Sequence, residues 1–148
     1  MSERNPMRGI LIDPVAQTVA AVTLLNGELD TIYALIEAEP IDVRPVTERD
    51  DLWIDDEALL RRPAPTCYAQ WGDYAHPIAG KQLILGHNDE GDCISTQLSV
   101  ERVERAVRFT RREFRGIREE PERRIVHPVL GPATLHRRVA EFGPEGES

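Results

Sequence analysis

A single stretch decides the fold of this chain: residues 82–98 read QLILGHNDEGDCISTQL. The apolar run at residues 82–85 predicts a β-strand, and the alternating residues 93–98 predict a second one. Residues 86–91 between them are rich in Gly, Asn and Asp, which favour tight turns. The stretch therefore predicts a β-hairpin with a mobile acidic tip.

The residues before this hairpin carry alternating strand and helix signals. Residues 8–13 and 18–24 are rich in β-branched and apolar side chains, which predicts an N-terminal hairpin. Apolar residues recur at helical spacing over residues 29–36, which predicts a packed amphipathic helix. Residues 41–46 and 52–54 predict two further short strands.

The pattern after the hairpin changes to a helical one. Ser99 is a suitable N-cap residue, and the apolar positions that follow are separated by steps of three and four. These positions are Val100, Val103, Val107, Thr110, Phe114 and Ile117. We therefore expect a helix over Ser99–Ile117, a second short helix over residues 133–142 and disorder over residues 143–148.

Size and composition favour one folded unit. A chain of 148 residues with 41% hydrophobic residues can bury a core without cross-links. We expect a single domain over residues 1–120 and a partly helical C-terminal extension over residues 121–148. The expected fold class is α+β: a small, mostly antiparallel, curled sheet crossed by one helix, with the Arg-rich helix from Ser99 packed on it.

Composition also indicates the compartment. The chain lacks an apolar run of the roughly 20 residues that a membrane-spanning helix needs, and its first ten residues do not resemble a signal peptide. We expect a cytoplasmic protein without membrane contact, in which Cys67 and Cys93 are free thiols.

Residues 1–100 hold seven basic and 17 acidic residues, whereas residues 101–148 hold 11 basic and nine acidic residues. Charge is therefore expected to be polarised along the chain.

The order of four short motifs carries a family resemblance. They are Ile-Asp-Val-Arg-Pro-Val at 41–46, Trp-Ile-Asp-Asp-Glu at 53–57, Pro-Ile-Ala-Gly at 77–80 and Asn-Asp-Glu-Gly-Asp at 88–92. Together with the preceding strand and helix, this order resembles small proteins grouped as domain of unknown function 3846, over about residues 8–98. That group occurs chiefly in bacteriophages, plasmids and their hosts. The resemblance implies an accessory protein of a mobile genetic element, and it supplies no catalytic residues.

Two acidic clusters suggest a first function. We expect a partner-binding acidic face made of Asp50, Asp51, Asp55, Asp56, Glu57, Asp89 and Glu90. Carboxylates on such a face can occupy a basic groove that otherwise holds nucleic-acid phosphates. The first hypothesis is therefore a non-enzymatic phage or plasmid protein that binds a host protein and inhibits a nucleic-acid-handling defence complex. The alternative is that these acidic turns only keep the protein soluble.

Arginines in the predicted Ser99–Ile117 helix suggest a second function. Arg105, Arg108, Arg112 and Arg115 would align on one helix face and could follow a phosphate backbone. The second hypothesis is therefore a nucleic-acid-binding or regulatory protein. Against it, acidic residues four positions before two of these arginines indicate an ordinary solvated face. The apolar stripe of the same helix could pack on the protein's own sheet or form the seam of a homodimer.

An enzyme is the third hypothesis. Cys67, Asp73 and His76 are potential catalytic or metal-binding side chains within one aromatic-rich segment, residues 67–76. The paired spacings of zinc sites and the glycine-rich loops of nucleotide-binding sites are not present in the sequence. We therefore assign no catalytic residue, no metal ligand and no cofactor, and we expect a protein that is not an enzyme.

Overall fold

The structure is a computed structural model, and it describes residues 6–25, 28–38, 41–72, 76–121, 125–127, 131–133 and 136–145. The strands are β1 (Met7–Asp13), β2 (Thr18–Leu24), β3 (Ile41–Pro45), β4 (Asp50–Asp55), β5 (Cys67–Trp71), β6 (Ile78–Ala79), β7 (Gln82–His87), β8 (Cys93–Ile94), β9 (Val107–Pro121), β10 (Ile125–His127), β11 (Gly131–Ala133) and β12 (His136–Glu145). The helices are α1 (Leu29–Ile36) and α2 (Val100–Ala106), with a 3-10 turn at Ala58–Leu60. The α+β prediction is confirmed.

A six-stranded antiparallel sheet, the main sheet, forms the centre of the fold. Its strand order is β2-β1-β7-β4-β3, and β8 pairs with the end of β7. Strand β7 lies between β1 and β4, and its first five residues are buried, which explains its nearly continuous apolar sequence. The hairpin predicted for residues 82–98 is confirmed as β7 and β8, although the second strand ends at Ile94.

The other predictions for the first half of the chain are also confirmed. The N-terminal hairpin is β1 paired with β2, and the helix predicted over residues 29–36 is α1. Strands β3 and β4 pair with each other at one edge of the main sheet. Residues 61–66, between β4 and β5, form neither a helix nor a strand, which agrees with the presence of Pro63 and Pro65.

Each face of the main sheet packs against a different layer. On one face, Leu83 and Leu85 of β7 pack with Ile32 and Ile36 of α1. On the other face, Ile84 packs with residues of β1, β4, β5, β9 and α2, which are Ile10, Ile12, Leu52, Ile54, Ala69, Trp71, Val103 and Val107. The alternation of side chains along a strand lets one strand contribute to both hydrophobic clusters.

The second layer is a four-stranded sheet with the order β12-β9-β5-β6. Gln82 connects it to the main sheet, because this fully buried side chain donates from Nε2 to the carbonyl oxygens of Ile78 at 3.3 Å and Ala69 at 3.4 Å. All strand pairs described in both sheets are antiparallel. The prediction of a mostly antiparallel fold is therefore confirmed.

The Arg-rich helix predicted over Ser99–Ile117 is wrong beyond Ala106. Ser99 does cap a helix, since its hydroxyl accepts from the Arg102 N–H at 3.1 Å, but α2 has only seven residues. Strand β9 follows at once and pairs with β5 from Val107 to Arg111. Val107 and Phe109 alternate into the core, and without β9 the strand β5 would pair only with the two-residue β6. Pairing in the sheet therefore overrides the helical spacing of the apolar residues.

The predictions for the C-terminal extension need correction as well. Strand β12 occupies residues 136–145 and pairs with β9, where a short helix was predicted over residues 133–142. Residues 143–145 belong to this strand rather than to a disordered end, and residues 146–148 lie outside the described residues. Neither helix in the described part of the chain has the length and the apolar run that crossing a membrane would require.

Candidate partner-binding surface

The β3–β4 turn and the β7–β8 hairpin meet at one end of the main sheet, and a buried carboxylate holds them together. Asp50 is 4% exposed. Its Oδ1 accepts from the Thr96 hydroxyl at 2.6 Å and its Oδ2 accepts from the Thr47 hydroxyl at 2.8 Å. The Asp50 carbonyl also accepts from the N–H of Val46 at 2.9 Å. Asp50 is therefore a structural residue, and its place in the predicted acidic face is wrong.

The Asp51 carboxylate also contacts another side chain, that of His87. Its Oδ2 lies 2.7 Å from His87 Nδ1, and both side chains are partly buried. Cys93 is the cross-strand partner of His87 and packs in the cluster beneath α1. Burial, followed by the charges of Asp51 and Asp92, raises the pKa of the Cys93 thiol. A nucleophilic cysteine needs a lowered pKa, so this group of residues does not activate Cys93.

The carboxylates of Asp55, Asp56 and Glu57 lie at the opposite end of β4. Asp51 and Asp55 are four residues apart on an extended strand, a separation of roughly 13 Å. Arg61 donates to both oxygens of Asp55, from Nε at 3.0 Å and from Nη2 at 2.9 Å. This contact raises the pKa of Arg61. Asp56 and Glu57 are exposed in the following turn. The predicted acidic face is therefore not continuous along β4 and the turn that follows it. Its five carboxylates in this region are those of Asp50, Asp51, Asp55, Asp56 and Glu57.

Exposed carboxylates do collect around the hairpin tip. The side chain of Asp89 is 91% exposed, and Glu90, Asp92 and the neighbouring Glu48 are exposed too. We call these four residues the acidic end. Arg49 is the basic residue beside them, and its Nη1 lies 3.3 Å from Asp89 Oδ1.

Asn88 fixes the conformation of the hairpin tip. Its side-chain oxygen accepts from the N–H groups of Glu90 at 3.0 Å and Asp92 at 2.9 Å, and its carbonyl accepts from Gly91. Gly91 has a φ of 85°, a left-handed conformation in which glycine is favoured. The carboxylates of the tip are therefore displayed on a turn held by these hydrogen bonds, where the sequence predicted a mobile tip.

The arginines predicted to share a helix face are separated. Arg105 lies on α2, where its Nε donates to the Glu101 carbonyl at 3.3 Å, whereas Arg108, Arg112 and Arg115 lie on β9. In a strand, Arg108 and Arg112 point to one side, and Arg115 lies beyond them at an irregularity in the pairing of β9 with β12. The predicted phosphate-binding stripe is therefore wrong. Of the two alternatives for the apolar stripe, packing on the protein's own sheet is observed for Val103 and Val107, which are buried in its core.

The residues of the enzyme hypothesis are not brought together in the described part of the chain. Cys67 begins β5, and the pairing of Tyr68 with Ala79 places the chain near His76 beside the other end of that strand. Asp73 lies outside the described residues. No group of three potential metal ligands occurs among the described residues.

Sequence reasoning missed a cleft at the same end of the main sheet as the acidic end. It has a volume of about 440 Å³ and is lined by Pro45, Val46, Thr47, Trp71, Gly72, Leu98, Arg102, Val103 and Ala106. Its lining comes from the β3–β4 turn, the end of β5 and α2, which are far apart in sequence. No local sequence signal could have revealed it.

These features define a small α+β protein that carries the acidic end and the adjoining cleft at the same end of its main sheet. The chain belongs to the family described as domain of unknown function (DUF3846), whose profile matches residues 7–110. The match includes β1 to β8, α2 and the first four residues of β9. It confirms the resemblance found in the sequence. No curated protein and no solved structure gave a match to this chain.

Proposed function

We propose that this protein is a non-enzymatic phage or plasmid accessory protein that binds a host protein in the cytoplasm. The host target is a component of a nucleic-acid-handling defence complex, and binding inhibits it. The acidic end makes the contact. The observation that supports this proposal is the display of four exposed carboxylates on two adjacent turns, held by the buried Asp50 network.

Electrostatics explain why such a surface would suit that target. A protein groove that binds nucleic acid carries several Lys or Arg side chains, and it releases counterions when an anionic partner enters. Charge complementarity of this kind raises the association rate and selects the partner. Because the tip is already ordered by Asn88, little conformational entropy would be lost on binding.

Two matched charge reversals test the proposal. The test variant carries Asp89→Lys and Glu90→Lys in the acidic end, and the control carries Asp56→Lys and Glu57→Lys at the opposite end of β4. Both variants change net charge equally, and all four side chains are exposed. We expect the test variant to lose capture of its partner from nuclease-treated host lysate, while the control retains capture. Equal loss in both variants, or loss in neither, would contradict the proposed contact.

The nuclease treatment separates this proposal from nucleic-acid binding. A partner that stays bound after nuclease treatment and elutes at raised salt supports a charged protein interface. Retention that disappears with nuclease would instead indicate direct nucleic-acid binding through the arginines of α2 and β9. In that case Arg108→Gln should weaken retention and reduce its salt dependence.

A further inference from the structure

The cleft beside the acidic end has a preformed apolar floor. Leu98, Val103 and Trp71 belong to the hydrophobic cluster between the two sheets, and Val46 and Ala106 pack against that cluster. The floor is therefore part of the core and does not have to be assembled when a ligand enters. A volume of about 440 Å³ falls within the range of small-molecule sites.

The polar groups of the lining are few and are mostly donors. Arg102 is exposed, and no carboxylate within the described residues pairs with its guanidinium. Trp71 is 9% exposed, and its Nε1–H is buried without an acceptor among the described residues. The Thr47 hydroxyl is already used, because it donates to Asp50 and accepts from the N–H groups of Arg49 and Asp50. Because the Trp71 Nε1 atom is itself buried, the Arg102 guanidinium is the donor that remains for a ligand among the described lining residues.

We propose that this cleft binds a small organic monoanion, an apolar body that carries one carboxylate. The apolar body lies on Leu98, Val103 and Trp71, and the carboxylate pairs with the Arg102 guanidinium. Arginine presents a planar set of donors that fits a carboxylate with two parallel hydrogen bonds. A single cation balances a monoanion, whereas a doubly charged phosphate ester would keep an unbalanced charge beside the acidic end.

Phenylbutyrate and its neutral amide, phenylbutyramide, are suitable probes because they share the apolar body and differ in charge. Binding can be followed from the indole N–H signals in nitrogen–proton correlation spectra of the full chain. The chain contains two tryptophans, and Trp53→Phe leaves the signal of Trp71 alone. We expect phenylbutyrate to give a saturable shift of the Trp71 signal and to bind about tenfold more tightly than the amide.

Arg102→Gln tests the role of the cation, and Arg105→Gln is its matched control. Both arginines are exposed on α2, and Arg105 does not line the cleft. We expect Arg102→Gln to weaken phenylbutyrate binding about tenfold or more and to leave phenylbutyramide unchanged, while Arg105→Gln leaves both unchanged.

Three results would overturn the proposal. They are the lack of a saturable Trp71 shift with phenylbutyrate, equal affinity for the acid and the amide, and equal effects of Arg102→Gln and Arg105→Gln. The indole signals of each variant without ligand report whether its fold is intact. Because the acidic end is unchanged in these variants, failure here leaves the proposed contact with a host protein standing.

Discussion

Individual polar residues in this protein divide into those that build the fold and those that are displayed on it. Asp50 and Gln82 are buried and hydrogen-bonded to distant segments, whereas Asp89 and Glu90 project from an ordered turn. Residue type alone does not separate the two roles, because Asp occurs in both. Burial separates them, since a buried carboxylate must find donors within the protein.

Removal of the Asp50 carboxylate should destabilise the protein strongly. Asp50→Ala leaves the hydroxyls of Thr47 and Thr96 without their acceptor at a buried site, so we expect the free energy of unfolding to fall by about 2–4 kcal/mol. Urea denaturation followed by tryptophan fluorescence measures the change. Asp56→Ala is the control on the exposed turn, with an expected effect within about 0.5 kcal/mol. Similar losses in both variants would contradict a structural role for Asp50.

Tyr68 should make the protein less stable at high pH. Its side chain is fully buried, its hydroxyl donates to the Pro65 carbonyl at 2.8 Å, and burial raises its pKa to about 12 from the ordinary value of 10.0. Above pH 10.0 the unfolded chain therefore loses this proton before the folded chain does. Stability should then fall by up to about 1.4 kcal/mol per pH unit until the folded pKa is reached.

Urea unfolding at a series of pH values tests this prediction. Cys93→Ser is used as the background, because the raised pKa of Cys93 gives a loss of stability of the same sign. In that background, Tyr68→Phe should be less stable near neutral pH but should lose less stability as the pH rises. Parallel pH profiles for the two proteins would show that Tyr68 is not responsible.

The structural elements show how pairing decides the conformation of an ambiguous segment. Residues 107–117 contain apolar side chains at helical spacing, but Val107 and Phe109 at the start of the segment also fit the alternation of a strand. The segment forms a strand, because it pairs with β5 and because Val107 and Phe109 then pack in the core between the two sheets. Helix α2 therefore ends after two turns, and Val107 has the extended backbone of a strand.

A cysteine placed opposite Cys67 should confirm this strand. The register pairs Cys67 with Arg111, and the Arg112 N–H donates to the Thr66 carbonyl at 2.8 Å, so Cys67 and Arg111 form a non-hydrogen-bonded pair. The short Cα–Cα distance of such pairs suits a disulfide. With Cys93→Ser, we expect Arg111→Cys to cross-link to Cys67 under mild oxidation, as detected by mass spectrometry.

Arg108→Cys is the matched control for this cross-link, because it lies three positions away and points to the other side of β9. It should remain uncross-linked under the same conditions. A cross-link in the control at the rate of the test variant would contradict the register, and so would the lack of a cross-link in the test variant.

At the scale of the whole molecule, the family match and the hydrophobic core cover the same part of the chain. The match spans residues 7–110, and the members of the three described core clusters lie between Met7 and Phe109. Strand β12 pairs with the part of β9 beyond Glu113 and, at Glu145, with Arg112. The folding unit is therefore expected to lie within residues 1–120.

Truncation after residue 120 tests this expectation. The shortened chain keeps both sides of the β5–β9 pairing and all members of the described core clusters, so we expect it to unfold cooperatively. Denaturant unfolding, followed by fluorescence and circular dichroism together, would show coincident transitions. Separate transitions, or loss of the unfolding transition, would show that β12 is part of the folding unit.

The sequence by itself determined the local elements: the hairpin of β7 and β8, the strands β1 and β2, the helix α1 and the family. Turn residues, apolar periodicity and helix caps act over a few positions, and they can therefore be recognised in the sequence. Only the tertiary structure decided that Asp50 is buried, that residues 107–121 form a strand and that Trp71 meets Arg102 at one cleft. Each of these outcomes depends on partners that are distant in sequence, and the energy of such contacts has no local signature.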